Sequence, residues 1–158
     1  MTDNLITDTT GLPVRLWLRL LTSTHMIEGE IRSKLRTTYD TTLPRFDVLA
    51  QLYRCPDGLR MGELSKLLMV TGGNITGIID QLTQEGLVER ATDPADRRAY
   101  IVRLTEKGSA EFEEMAASHR EWIDDLLCGL GTEDQLALHN LLKTLRTSLE
   151  EKLNHDSE

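Results

Sequence analysis

Residues 70–90 read VTGGNITGIIDQLTQEGLVER, and the way this stretch folds decides the reading of the whole chain. Ile75, Ile78, Ile79 and Leu82 recur at i, i+3, i+4 and i+7, the spacing of one helical face. Gly86 is placed to end that helix, since glycine adopts the left-handed C-terminal conformation without a Cβ penalty. Thr71 is a natural N-cap, which puts Gly72 and Gly73 in the first turn. Glycine there costs about 0.5–1 kcal/mol relative to alanine, so a compensating role is expected of both.

Outward from this helix the pattern stays short and helical on one side. MGELSKLL (61–68) is a second short helix, and CPDGLR (55–60) is a turn in which Pro-Asp-Gly supplies a preset φ and a left-handed position. Pro44 opens a helix to about Arg54, with Phe46, Val48, Leu49 and Leu52 as its apolar side. Downstream, LVERA (87–91) and AYIVRLT (99–105) have strand composition, with the polar turn TDPADRR between them. Two short helices across a tight turn, followed by a hairpin, make a winged helix-turn-helix lobe over residues 44–105.

Three longer amphipathic segments flank that lobe. LPVRLWLRLLTSTHMIEGEIRSKLRTTY (12–39) lines up Leu16/Trp17, Leu20/Leu21, Thr24, Ile27, Ile31 and Leu35. Thr105 can cap a helix over 106–127, and Gly129 and Gly131 break the chain after it. Thr132 with Gln135 reads as a capping box for a last helix, along which Leu138, Leu141/Leu142, Leu145, Leu149 and Leu153 recur. The lobe is too small to cover these stripes, so a second copy of the chain is expected to. The expected fold is therefore mainly α with a small β-hairpin, a single domain over 1–158. Helices 12–39 and 106–153 serve dimerisation.

The net charge of −8 argues against nucleic acid only as an average. Residues 1–59 and 60–107 are each neutral, with seven basic and seven acidic residues apiece, and the whole excess lies in 108–158. A chain can present one surface to phosphates while an acidic part faces away. No apolar run is long enough to span a membrane, and the start MTDNLITDTT has neither part of a secretory signal. A cytoplasmic protein is expected.

A recognition helix capped by Thr71 and stopped by Gly86 gives the glycines their role. Its N-terminal residues meet base edges when it enters the major groove, and its free N–H groups can bond phosphate. Thr71, Gly72 and Gly73 allow close approach of the backbone. Asn74, Thr76 and Gln81 project opposite Ile75, Ile78 and Ile79, and Asn and Gln match adenine's major-groove edge. Lys66 on the preceding helix belongs to the same contact set. At the hairpin tip Arg97 and Arg98 can reach the flanking minor groove, with Asp96 orienting a neighbouring arginine. Two other readings of the glycines stand beside this one: a nucleotide-phosphate cradle, although GGNITG lacks the lysine and spacing of a P-loop, and simple relief of helix packing.

The segment GELSKLLMVTGGNITGIIDQLTQEGLVERATDPADRRAYIVRLTEKG resembles the winged helix-turn-helix of the MarR family of transcription regulators. Its most specific parts are GLVER, the wing motif DPADRR, and VRLTEKG entering a helix. The resemblance implies a homodimer on an inverted-repeat operator, a repressor controlled by a small aromatic acid or its CoA thioester, and Arg98 as the inserted wing residue. Two departures stand out: Gly77 and Gln81 where relatives often carry arginine, and Arg60 where a Ser/Thr cap is usual before Glu63.

For the effector, a pocket is expected where the first helix meets the winged-helix lobe: Trp17, His25 and Arg32 share one side of that helix, with Trp17 as a wall and His25 or Arg32 fixing a carboxylate or phenol. No cofactor or metal is expected: His25 and Glu28 at i, i+3 fall short of a zinc site, and His119, His139 and His155 are scattered. Cys55 and Cys128 in a cytosolic chain do not suggest a structural disulfide. Redox or metal sensing on the same fold, and a winged helix that binds protein, remain alternatives. No nucleophile with its base is apparent, so the chain is not read as an enzyme.

Overall fold

The computed structural model describes residues 9–68 and 74–155. The chain divides into two compact units, one ending at His119 and the other beginning at Arg120.

The first unit opens with α1, Leu12–Tyr39, whose C-terminal half buries Ile31 and Leu35. Thr42 then caps α2, Leu43–Arg54, by accepting the Arg45 N–H, and Pro44 lies in its first turn, where no N–H is needed. Gly58, at φ 91°, makes the turn that follows; a Cβ there would collide with the Ile101 side chain. The turn leads into a strand that the sequence did not suggest. β1, Leu59–Arg60, pairs antiparallel with β3 (Asp96–Leu104), which pairs in turn with β2 (Val88–Asp93). Between β1 and β2 lie α3, Met61–Leu67, and α4, Ile75–Gln84.

One apolar core joins these elements. Leu35, Leu49, Leu52, Leu64, Ile79, Leu82 and Val102 are all shut off from solvent. The end of α4 shows why the chain turns into the sheet where it does. Gly86 takes φ 74° and donates to Thr83 O, while Leu87 N–H donates to Leu82 O at 2.9 Å. This double closure satisfies two helix-end carbonyls and buries Leu87 against the same core.

The hairpin is longer than its sequence suggests. Strands expected at 87–91 and 99–105 extend to Asp93 and back from Asp96, so Pro94 and Ala95 alone form the connection, with a register irregularity at Thr92/Asp93. TDPADRR is polar because this ribbon buries little; the absence of an apolar alternation concealed its strands.

Thr105 accepts the Gly108 N–H at 3.0 Å and starts α5, Glu106–Leu127. Gly108 is required there, because a Cβ would run into the backbone carbonyl of Leu87. Phe112 packs on Phe46 and Tyr53, with centroids 5.5 and 5.0 Å apart. In the second unit Gln135 turns its side-chain amide onto Leu130 O and Leu127 O, in place of the capping box read from Thr132. α6 then runs Thr132–His155.

Candidate nucleic-acid interface

α4 begins at Ile75, and its cap is Asn74 rather than Thr71: Asn74 Oδ1 accepts the Gly77 N–H at 3.1 Å. Thr71, Gly72 and Gly73 lie outside the described residues. The cap changes what Asn74 can offer a base. A two-point contact with adenine uses the side-chain oxygen as acceptor, and here that oxygen is already committed to the helix. Thr76 and Gln81 are exposed, while Ile79 and Leu82 on the opposite side are fully buried. Lys66 is exposed on α3.

Ion pairs hold α4 by its middle and its end. Asp80 pairs with Arg90 of β2, and Glu85 pairs with Arg45 of α2. Lys107 Nζ adds a bond to Glu85 O at 2.8 Å. Partly exposed pairs contribute little stability; Asp80–Arg90 ties the helix to the sheet, and Glu85–Arg45 ties its end to α2.

In the wing, Arg97 and Arg98 are exposed near the start of β3. Asp96 Oδ1 accepts the backbone N–H of Arg98 at 3.0 Å, so it orients that arginine through the main chain. Asp93, a second acid in the same polar run, is buried and paired with Arg60, so it does not face outward at the tip. The Ala95 N–H, with Arg60 beside it, holds the Asp93 carboxyl below the usual carboxylate range.

The residues expected to form an effector site do not come together. Trp17, His25 and Arg32 are all exposed on α1, and along a continuous helix Trp17 and Arg32 stand about 22 Å apart at roughly 1.5 Å per residue. One small aromatic acid cannot touch both in one protomer. Arg32 donates to Glu28 at 3.3 Å. With Arg36 it also edges a groove of about 520 Å³, whose other walls include Leu43, Pro44, Ile78 and Gln81. Arg36 was not singled out in the sequence, although its i+4 spacing from Arg32 places it on the same face.

Asp47 is a further residue the sequence did not reveal. Its Oδ2 is enclosed with no hydrogen-bond partner. Burial, and then the charge of Glu28, raise its pKa to about 6. His119, stacked on Phe46 with centroids 4.9 Å apart, is pushed the other way by burial, below the usual imidazole value. Cys55 is half-buried and Cys128 exposed. Among the described residues no cluster of three or more His, Cys, Asp or Glu is arranged to hold a metal, and no helix is long and apolar enough to cross a membrane.

A model of the MarR family matches residues 39–99. The transcriptional activatory protein BadR of Rhodopseudomonas palustris is 30% identical, over 91% of this chain and 84% of that one. Among solved structures, a MarR family transcriptional regulator from Silicibacter pomeroyi has a TM-score of 0.77 at 30% identity, covering 90% of this chain and 99% of its own. A mutant of MarR from E. coli, complexed with operator DNA, has a TM-score of 0.72 at 27% identity, over 88% and 99% of the two chains.

Proposed function

We propose, on the premise that this chain belongs to the MarR family of transcriptional regulators, that it binds an inverted-repeat operator as a homodimer and represses transcription until a small anionic effector binds. The observation that carries the DNA reading is the pairing of α4, with Thr76 and Gln81 exposed opposite a buried face, with a wing bearing Arg97 and Arg98. The solved MarR–operator complex of the same fold supports it. Two-fold symmetry demands a pseudo-palindrome with half-sites about one helical turn apart. Lys66 and the backbone near Thr71–Gly73 would contribute phosphate contacts, which position the protein without reading sequence.

The apolar stripes of α1 and α6 support the homodimer. Trp17 is 58% exposed and Leu141 68% exposed in the single chain. For the effector, the groove edged by Arg32 and Arg36 suits a compact aromatic carboxylate: two arginines on its rim offer charge-assisted hydrogen bonds to an anion, beside the apolar Leu43, Pro44 and Ile78. Its volume falls within the usual range for small-ligand sites, about 300–1,000 Å³. An anion there lies against Gln81 and so interferes with α4 on DNA. Repression fits a protein that covers promoter DNA; the activatory role named for BadR is the opposite outcome.

The test begins by selecting duplexes from a random pool and titrating selected and random DNA at two salt concentrations. Gln81→Ala should weaken selected DNA by about 1–3 kcal/mol and leave random DNA nearly unchanged. Arg98→Ala should weaken both and reduce the salt slope. Equal losses on both DNAs for Gln81→Ala would remove α4 as the reading helix. Run-off transcription from the selected site, with and without aromatic acids, then gives the direction of control.

A further inference from the structure

Arg60 stands at a junction. It is the last residue of β1, in register with Ile101 of β3, and the residue before α3. Its N–H donates to Glu63 Oε2 at 2.8 Å, so its backbone is held by the sheet and by the first turn of α3 together. Its side chain then reaches 33 residues along the chain. Nε donates to Asp93 Oδ2 at 2.6 Å, and a second guanidinium nitrogen pairs with the same oxygen. Asp93 is the one charged residue buried among those described, and a buried carboxylate demands such a partner.

The rest of Asp93 faces the tip. Its Oδ1 accepts the Ala95 N–H at 2.8 Å, closing the Pro94–Ala95 connection. Opposite it in register is Asp96, whose side chain holds the Arg98 N–H. β1 pairs with β3 only at Ile101 and Val102. Beyond that point the wing is a two-stranded ribbon, and such a ribbon is marginally stable and free to twist. The Arg60–Asp93 pair extends the anchorage from α3 past the end of the third strand to the turn that presents the arginines.

We propose that Arg60 is a positioning residue for DNA binding: through Asp93 it sets the pose of the wing tip relative to α3 and α4, and so the reach of Arg98. The proposal rests on the reading that the wing contacts DNA. Its test is a double-mutant cycle of Arg60→Met and Arg98→Ala on selected duplex, with hydroxyl-radical footprints of each variant. Arg60→Met should weaken binding about tenfold in the wild-type background and less than about twofold in the Arg98→Ala background, because both changes remove one contact. Its footprint should lose protection at the flanks and keep it over the centre. Fully additive losses, or uniformly weakened protection, would overturn the proposal and assign Arg60 either a phosphate contact of its own or a general structural role. If Arg98→Ala alone has no effect, it is the wing reading that fails. Asp93→Asn serves where Arg60→Met does not fold: it retains an oxygen for the Ala95 N–H, loses the charge pair, and should give the same non-additivity.

Discussion

Leucine meets opposite fates in the two ends of this chain. In the winged lobe Leu49, Leu52, Leu64 and Leu82 are 0–1% exposed, whereas along α6 Leu136, Leu141, Leu149 and Leu153 are 48–68% exposed. Both sets follow helical periodicity equally well. Periodicity therefore says that a face is to be covered; it does not say by what. The lobe supplies its own cover, from a short sheet and four helices crossing one another. α6 is one long surface with no buried side chain among its described residues.

Charging the α6 stripe should have the largest effect. Burying a leucine is worth about 1.5–3 kcal/mol, and two-fold symmetry doubles each change. Leu141→Glu with Leu149→Glu should therefore raise the dimer dissociation constant by roughly a thousandfold or more. Sedimentation of the variant at micromolar concentration should show monomer. An unchanged dimer would mean that this stripe is not the interface and that the comparison with the lobe has another explanation.

Next come changes inside the lobe. Leu82→Ala should cost about 2–5 kcal/mol in denaturant unfolding, the usual loss for a fully buried leucine. Gly108→Ala should also destabilise, by about 1–3 kcal/mol, because the new Cβ forces the start of α5 away from Leu87. If either variant unfolds like the wild type, the lobe is looser than its burial implies.

The helices and the C-terminal stop at Gly86 were legible because local rules govern them: apolar spacing, a proline in a first turn, a glycine past an end. What sequence could not supply was long-range pairing. Nothing at positions 60 and 93 announces that they meet, and Asp93 in a polar run reads as a solvated turn until Arg60 is found beside it. β1 escaped notice because two residues carry no alternation. Asp47 reads as the polar face of α2, and nothing in its local sequence announces that its Oδ2 is enclosed or that the charge of Glu28 is near it. The spread of the effector trio has a simpler reason: Trp17 and Arg32 share one helical face but stand far apart along its axis, and only Arg32 of the three edges the groove. Of the DNA-contact set, Thr76, Gln81, Arg97 and Arg98 are exposed as expected, and Asn74 proved to be the cap.

A smaller effect is pH-dependent. Asp47 has its folded-state pKa raised to about 6, from an ordinary value of 3.8. Between roughly pH 4 and 6 the unfolded chain ionises before the folded one, so this group lowers stability as pH rises through that window. Above about pH 6 the loss is complete. Asp47→Asn should thus stabilise at pH 7.5 by about 1–2 kcal/mol, discounted for a group only half-buried, and change little at pH 4. His119 acts in the opposite sense: with its folded pKa lowered, it costs stability as pH falls below the ordinary imidazole value. His119→Gln should flatten the acid limb of the melting profile, and Asp47→Asn the slope between pH 4 and 6. A melting temperature of Asp47→Asn that parallels the wild type at every pH would show that Asp47 ionises normally.

The smallest expected effect bears on the surface where the two roles of one residue compete. Asn74 caps α4, and an N-cap lost to alanine costs about 0.5–2 kcal/mol. Asn74→Ala would therefore weaken DNA binding even if Asn74 never touched a base, simply by fraying the end of the helix. Asn74→Ser separates the roles. Serine is an equally good cap, so its hydroxyl should hold the Gly77 N–H and keep the melting temperature within a degree or so, while it removes the amide that matches adenine. If Asn74 only caps, Asn74→Ser binds selected and random duplex as the wild type does, and Asn74→Ala loses a little on both. If it also reads a base, Asn74→Ser loses affinity for selected duplex alone. The cap bond of 3.1 Å to Gly77 favours the first result, because the oxygen that adenine would engage already serves the helix.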